Sequence, residues 1–462
     1  MPVTATATSP VDILVIGGGA CGTLVARHLL DAGGLRVALA EARHAPGLGV
    51  AYATPRAEHL LNVNAARMSA FDARPDDFVD FLARHPQCAG LDPGELPGMF
   101  APRRLYGAYL QTRLDQAPAG ASLMRLGDAV VDLARAADGW LATLASGETI
   151  RARAVVLATG NQPGVLPCVE PGVDVVEAWD YASVAAIDAD AAVCIVGAGL
   201  SMVDVLLSLH ANGHRGAVTA LSRNGLMPLA HAPGTVPQAG GVDALLPLGV
   251  RARMRLLRRW AAEATAQGRP WQDALERLRP HVRTLWQAWP EAEQRRFLRH
   301  AVRLWDIHRH RIAPDIAAVV AAMSADGRFV LHAGRLTRIA AHEGQCAIEW
   351  TPRGSAPATL TADVIVNATG MEKRLARMPG PLWDALRTGG LVRPGPLGLG
   401  VATADDGALI DARGRPVGGL WTLGANRIGD LWETIAMPEL RGQTARVAAA
   451  AAAHVQAMSS HR

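Results

Sequence analysis

Two glycine turns constrain this chain more than any other feature. Val11 to Ile16 is a largely apolar run that ends in Gly17-x-Gly19-x-x-Gly22, and a helical pattern follows through Leu30 to a second apolar run, Val37 to Ala40. Ala192 begins the same succession again: the run AVCIV, the turn Gly197-x-Gly199, an apolar helix to His210 and the strand AVTALSR. Strand, glycine turn, helix and strand make a βαβ unit, because two parallel strands need a crossover between them. Two such units predict an α/β chain with two nucleotide-binding folds.

Each residue of the first turn has a physical task. Gly17 permits the tight turn, Gly19 lets a pyrophosphate approach the backbone at a helix N-terminus, and Gly22 allows close helix packing. Glu41 ends the next strand 19 residues after Gly22 and can accept from both hydroxyls of an adenosine ribose. In the second copy Met202 replaces the third glycine, and the following strand ends in Ser222-Arg223. A hydroxyl and a cation suit a 2′-phosphate that an acid would repel, so the second turn is expected to prefer NADPH over NADH. One turn ends in an acid and the other in Ser-Arg, so the two are expected to hold different dinucleotides.

The 462 residues allow about three domain-sized units. Leu123 to Gly160 and Ala325 to Gly370 read as two similar meanders, closing on AVVLATG and DVIVNATG. From roughly 247 to 323 the chain reads as a helical insertion with five tryptophans, and Arg251 to Arg311 carries 15 arginines against six acids, a net charge of +9. The expected boundaries are a first domain over 1–187, a second over 188–370 that contains the insertion, and a return to the first over 371–462. The basic patch can attract phosphates or carboxylates, but no nucleic-acid partner is expected.

Half of the residues are hydrophobic and 19% are charged, which excludes a disordered chain. MPVTATATSP carries no basic residue and no long apolar core, so no secretory leader is expected. No run approaches the ~20 apolar residues of a bilayer span, and no membrane partner is expected. The five cysteines (Cys21, Cys88, Cys168, Cys194, Cys346) form no CxxC pair, which suggests a reduced, cytoplasmic setting. No metal site is expected, since HxxxH and HExxH spacings with a supporting acid are missing.

Paired turns, the strand ends Ala158-Thr159-Gly160 and Ala368-Thr369-Gly370, and a discontinuous first domain are similar to the two-dinucleotide flavoproteins. A narrower resemblance is to the bacterial FAD-NAD(P)-binding proteins, which are related to flavin-dependent amino-acid N-oxygenases. Its marks are GLGVAY (Gly47 to Tyr52), HLLNVNAARMSAF (His59 to Phe71), PRRLYGAYL (Pro102 to Leu110), GAGLSMVDVLLSL (Gly197 to Leu209), RLWDIHRHRIAP (Arg303 to Pro314) and AMPELRGQ (Ala436 to Gln443). The resemblance implies a glutathione-reductase-like α/β fold of two Rossmann-like domains, FAD on the first and NAD(P)H on the second. It further implies cofactor contacts at Val130, Gly160, Ser201, Gly424, Asp430, Thr434 and Ile435. Glu433 to Ala436 is expected to begin the last helix and to present its N-terminus to the flavin. The FxGxxxHxxxW signature of Baeyer-Villiger enzymes is missing; VVEAWDY (Val175 to Tyr181) stands before the second turn and shares only its tryptophan and following acid, which disfavours ketone oxygenation.

Three residues are candidates for the chemistry. Asn62 lies in the apolar context HLLNV, where an unpaired amide is costly to bury, so it faces flavin or substrate, or else bonds to backbone. His231 follows the Ser-Arg strand in a proline-rich loop, and Arg309 belongs to the cluster DIHRHR; either could meet an anionic substrate or the NADPH phosphate. The expected function is an FAD- and NADPH-dependent monooxygenase that uses O2 on a small polar substrate such as an amine or amino acid. The alternatives are an NAD(P)H-dependent reductase serving a quinone or protein acceptor, and a non-catalytic flavin-bearing sensor or assembly protein. The insertion is read either as a lid over the flavin or as a homodimer or partner surface.

Overall fold

The structure, a computed structural model, describes residues 10–238 and 240–460. The stretch 1–9, read above for a leader, lies outside the described residues. Among the described residues no helix is long and apolar enough to cross a membrane. The chain divides into two compact units rather than three: one contains the residues through Pro55, Val63–Gln162 and Glu372 onward, the other Arg56–Asn62 and Pro163–Met371.

The first unit is built on a sheet in the order Ala408–Ile410, Pro416–Thr422, Thr149–Leu157, Val11–Ile16, Arg36–Ala40, Ser122–Leu126. Thr149–Leu157, Val11–Ile16 and Arg36–Ala40 run parallel. The run at Val11 is apolar apart from Asp12 because both faces of its strand are covered. Val11, Leu14 and Ile16 enter one core with Trp140, Val155 and Leu157, while Ile13 and Val15 enter the other with Leu29, Val156 and Val447. Each such side chain, fully buried, contributes about 1.5–3 kcal/mol. Ser122–Leu126 pairs parallel with Arg36–Ala40 at the sheet edge. The antiparallel meander therefore consists of Val130–Ala136, Gly139–Leu144 and Thr149–Leu157, and does not start at Leu123.

The second unit has a sheet in the order Ala358–Ala362, Gln345–Pro352, Phe329–His342, Val218–Ser222, Val193–Val196, Val364–Asn367, Val175–Glu177. Val175–Glu177 pairs with Val364–Asn367, so the chain joins this unit from Pro163, earlier than position 188. A second difference is Arg56–Asn62, a segment from within the first region that belongs to the second unit. His59 anchors it: the ring is buried, and its Nε2 lies 3.0 Å from both Asp204 O and Ser208 Oγ of the helix Leu200–Ala211.

Helices fill the segment between Val218–Ser222 and Phe329–His342, from Val250–Ala266 to Pro314–Ala325. Its tryptophans form its own interior. Trp260 joins Val242, Leu245, Leu278 and Leu285, with Trp305 packed against them, and Trp286 and Trp289 pack on Phe297. Arg253 is 4% exposed and lies over the Trp289 ring at 4.1 Å. Its guanidinium donates to Leu245 O and Leu285 O at 2.7 Å and to Leu246 O at 3.1 Å. Burial pushes its pKa down to about 10, opposed by Glu293. Tryptophans committed to this interior give no support to a partner surface.

Candidate functional site

The two glycine turns repeat each other atom for atom at their base. Gly17 N donates to Ala40 O at 2.8 Å, and Gly197 N to Leu221 O at 2.9 Å. Both glycines have positive φ, +102° and +125°. A Cβ would fall 2.3 Å from Ala158 O at Gly17 and 2.2 Å from Ala368 O at Gly197, the alanines of the two Ala-Thr-Gly strand ends. Only glycine meets both demands.

Gly19 and Gly199 are the N-caps of Ala20–Ala32 and Leu200–Ala211, and neither helix has a side-chain cap or an acid in its first turn. Such an end offers N–H donors and partial positive charge to an anion. A Cβ on Gly199 would meet nothing within 4 Å, and one on Gly19 only Gly49 Cα at 3.6 Å. Gly22 is tight in a different way, since its Cβ would fall 1.8 Å from Gly17 O. Met202, in the corresponding place, is wholly buried.

Around the first turn, Glu41 is half-buried; its Oε2 accepts from Gly18 N at 2.8 Å and its Oε1 from Arg43 N at 2.9 Å. These bonds hold the carboxylate beside the turn. The GLGVAY segment packs on the same turn, with Gly47 N donating to Gly18 O at 2.8 Å. Burial pushes the Cys21 thiol, in the first turn of the helix, up to about 12. Val130, at the start of its strand, is buried, and Gly160 is an exposed turn glycine with φ +66°.

The C-terminal part differs from expectation. The last helix is Met437–Ser460 and does not begin at Glu433. Trp432 has φ +62°, which no helix continues through. Thr434, fully buried, donates from Oγ1 to Gly424 O at 3.0 Å and accepts from Gln443 Nε2 at 2.9 Å, while Gln443 Oε1 accepts from Gly424 N at 3.2 Å. Its hydroxyl therefore braces the Gly424 turn. Ile435 is 40% exposed. Asp430 accepts from Thr403 Oγ1 at 2.7 Å and Thr403 N at 3.2 Å, an internal brace for that loop.

Asn426 was missed by sequence reasoning, although it stands between Gly424 and Asp430. Its Nδ2 donates to Thr159 Oγ1 at 3.1 Å and Thr422 Oγ1 at 2.9 Å, which ties it to the Ala158-Thr159 strand end, and its Oδ1 is buried with no partner among the described residues. An orphaned acceptor beside an uncapped glycine turn suits a donor from a bound group.

In the second unit, Ser222 Oγ accepts from Gly225 N at 3.1 Å, and Arg223 is exposed with no hydrogen-bonded acceptor among the described residues. Ser201 Oγ accepts from Trp179 Nε1 at 3.1 Å, so the tryptophan of VVEAWDY supports the turn. Asn62 uses its backbone: His231 Nε2 donates to Asn62 O at 3.0 Å, and Arg311 Nε donates to His231 Nδ1 at 3.3 Å. Those two bonds fit a ring whose Nε2 carries a proton and whose Nδ1 accepts. Arg311 is held in turn by Glu276 Oε1 at 2.5 Å, both side chains being under 5% exposed. Arg309 is 8% exposed at the end of Val302–Arg309. The DIHRHR cluster is thus largely inside the insertion, and burial leaves Arg309 poorly placed to clamp a substrate.

Residues 14–162 match the FAD-NAD(P)-binding family model, and residues 122–234 match that of the L-lysine 6-monooxygenase/L-ornithine 5-monooxygenase family. The chain is an FAD-dependent NAD(P)H oxidoreductase. Solved structures share the fold of this flavoprotein. The reduced form of the Pseudomonas aeruginosa ornithine hydroxylase is 16% identical, with 96% of this chain and 100% of that chain covered at a TM-score of 0.65. The Kutzneria sp. 744 ornithine N-hydroxylase with reduced FAD, NADP+ and L-ornithine is 15% identical over 98% and 100%, at 0.65. The FAD-bound cadaverine monooxygenase of Erwinia amylovora is 12% identical over 96% and 95%, at 0.66. No curated protein sequence matches the chain.

Proposed function

We propose that the flavoprotein hydroxylates the nitrogen of a small amine or amino acid. In the overall reaction one oxygen atom of O2 enters the N–H bond, the other leaves as water, and NADPH with one proton supplies the two electrons. The match of residues 122–234 to the lysine/ornithine monooxygenase model carries this reading. Bound FAD supplies the redox and O2 chemistry.

The chain's own residues bind and orient. Gly17, Gly19 and Gly22 form the FAD pyrophosphate turn, Glu41 receives the ribose hydroxyls, and Gly424 with Asn426 completes the same side of the unit. Gly197 and Gly199 receive the NADPH pyrophosphate, and Ser222 with Arg223 reads the 2′-phosphate. No side-chain nucleophile is required. The Cys21 thiol, with its pKa pushed up to about 12, is a poor partner for disulfide exchange, which weighs against a disulfide-reducing variant. Five free cysteines support a reducing, cytoplasmic location.

Rapid mixing of the NADPH-reduced protein with O2, amine and amino-acid panels, with and without NADP+, tests the reading. The expected result is substrate-dependent hydroxylamine formation, coupled best when NADP+ is present. Release of hydrogen peroxide alone with every amine would overturn it. Arg223→Ala is expected to weaken NADPH roughly tenfold and leave NADH nearly untouched.

A further inference from the structure

Peptide planes decide what a glycine turn offers a phosphate. In a trans peptide the C=O and the next N–H point in opposite directions, so whatever grips the carbonyl at the middle of Gly-x-Gly aims the N–H of the second glycine the other way. The two turns grip that carbonyl differently. In the first, Gly18 O accepts from Thr23 Oγ1 at 3.0 Å and from Gly47 N at 2.8 Å, both donors from within the same unit. The second turn has Val203 where the first has Thr23, a residue of similar shape without a hydroxyl. Ala198 O, the counterpart of Gly18 O, accepts instead from Arg303 Nη2 at 2.6 Å. Arg303 lies on the insertion helix Val302–Arg309, and the same Nη2 donates to Leu226 O at 2.5 Å, in the loop just past Ser222-Arg223.

We propose that Arg303 is the positioning residue of the second turn: by holding Ala198 O and Leu226 O it aims the Gly199 N–H at the nucleotide pyrophosphate and ties the helical insertion to the nucleotide turn. The inference rests on the reading of that turn as the NADPH site. Burial keeps the Arg303 pKa below the usual arginine range, Asp306 opposes that, and the like charge of Arg223 adds to it. A cation kept desolvated next to a second cation gains when an anion arrives, so the arrangement suits phosphate. Arg223 and Arg303 then have separable tasks. Arg223 distinguishes NADP+ from NAD+, whereas Arg303 acts on the part that the two nucleotides share.

The test uses full-length, FAD-loaded protein and compares wild type with Arg303→Met, Arg303→Gln and Arg303→Gln/Val203→Thr. Calorimetric titration of NADP+ and NAD+ is expected to show about a tenfold loss of affinity in both single variants, equal for the two nucleotides. Val203→Thr supplies the hydroxyl that Thr23 supplies in the first turn and is expected to recover most of that loss. A merely structural role for Arg303 would not be repaired by a hydroxyl at position 203, so an unrepaired loss overturns the proposal. So does wild-type affinity in Arg303→Gln, the milder change should Arg303→Met fail to fold. Amide hydrogen exchange without nucleotide separates the layers: faster exchange over 197–203 in the Arg303 variants is expected, and unchanged exchange overturns the positioning role. Failure of the wild type to bind either nucleotide sinks the reading of the site, whatever the exchange result.

Discussion

Gly22 and Gly199 occupy glycine turns of the same design, yet alanine should damage the protein in opposite ways at the two positions. A Cβ on Gly22 would stand 1.8 Å from Gly17 O, a backbone atom that no rotamer change can move. Relief requires shifting the helix Ala20–Ala32 off the sheet, an overpacking cost of about 1–3 kcal/mol or more. On Gly199 the same methyl meets nothing within 4 Å, and φ is an ordinary −95°. The ligand-free fold should therefore change by no more than about 0.5 kcal/mol. The open space at Gly199 is where a pyrophosphate would come closest to the backbone, so NADP+ affinity should fall about tenfold or more, the equivalent of one lost charge-assisted contact. Urea unfolding monitored by tryptophan fluorescence gives the stability term, and NADP+ calorimetry gives the binding term. Gly199→Ala with wild-type NADP+ affinity would refute the placement of the pyrophosphate. Gly22→Ala with wild-type stability would refute the packing argument.

Two further outcomes follow from buried charge. Arg311→Met removes the partner 2.5 Å from the Glu276 carboxylate, which is 4% exposed, and should cost about 3 kcal/mol in urea unfolding; a loss below about 1 kcal/mol would mean that water or rearrangement already screens the pair. His28, His214 and His454 all have pKa values held below the usual imidazole value, chiefly by burial, and at His454 Arg135 and Arg153 push the same way. The unfolded chain then binds more protons below about pH 6.5, so this stability is complete above that pH and is lost as pH falls through the window beneath it. Urea midpoints from pH 7.5 to 5.5 should decline, less steeply in His454→Phe, and a flat profile would contradict the assignment.

The sheet strands and both glycine turns were legible in the sequence because their constraints are local. A strand covered on both faces must be largely apolar, as Val11–Ile16 is apart from Asp12, whose carboxylate accepts from Arg36 N, and a turn whose Cβ would overlap a carbonyl must be glycine. What escaped reading depends on long-range partners. The cluster DIHRHR has the composition of a solvated helix end, yet Arg311 finds Glu276 and Arg309 is buried, because the helices around them are brought together by tryptophans far apart in the chain. The start of the last helix was misplaced for a related reason. Glu433 to Ala436 carries no helix breaker, and only Trp432, at positive φ with its neighbours braced by Gln443 and Gly424, postpones the helix to Met437.

Arg303 makes the same point about the site itself. It lies in the segment RLWDIHRHRIAP, and nothing within its own helix indicates an acceptor 105 residues earlier in the chain. The signal was nevertheless present in the comparison of the two turns. Aligning Gly17 with Gly197 places Val203 on Thr23, and the missing hydroxyl leaves the carbonyl of Ala198 without the donor its counterpart has. A carbonyl in a buried glycine turn needs a donor from somewhere, and a repeated motif with one polar residue lost identifies where a distant cation must come in.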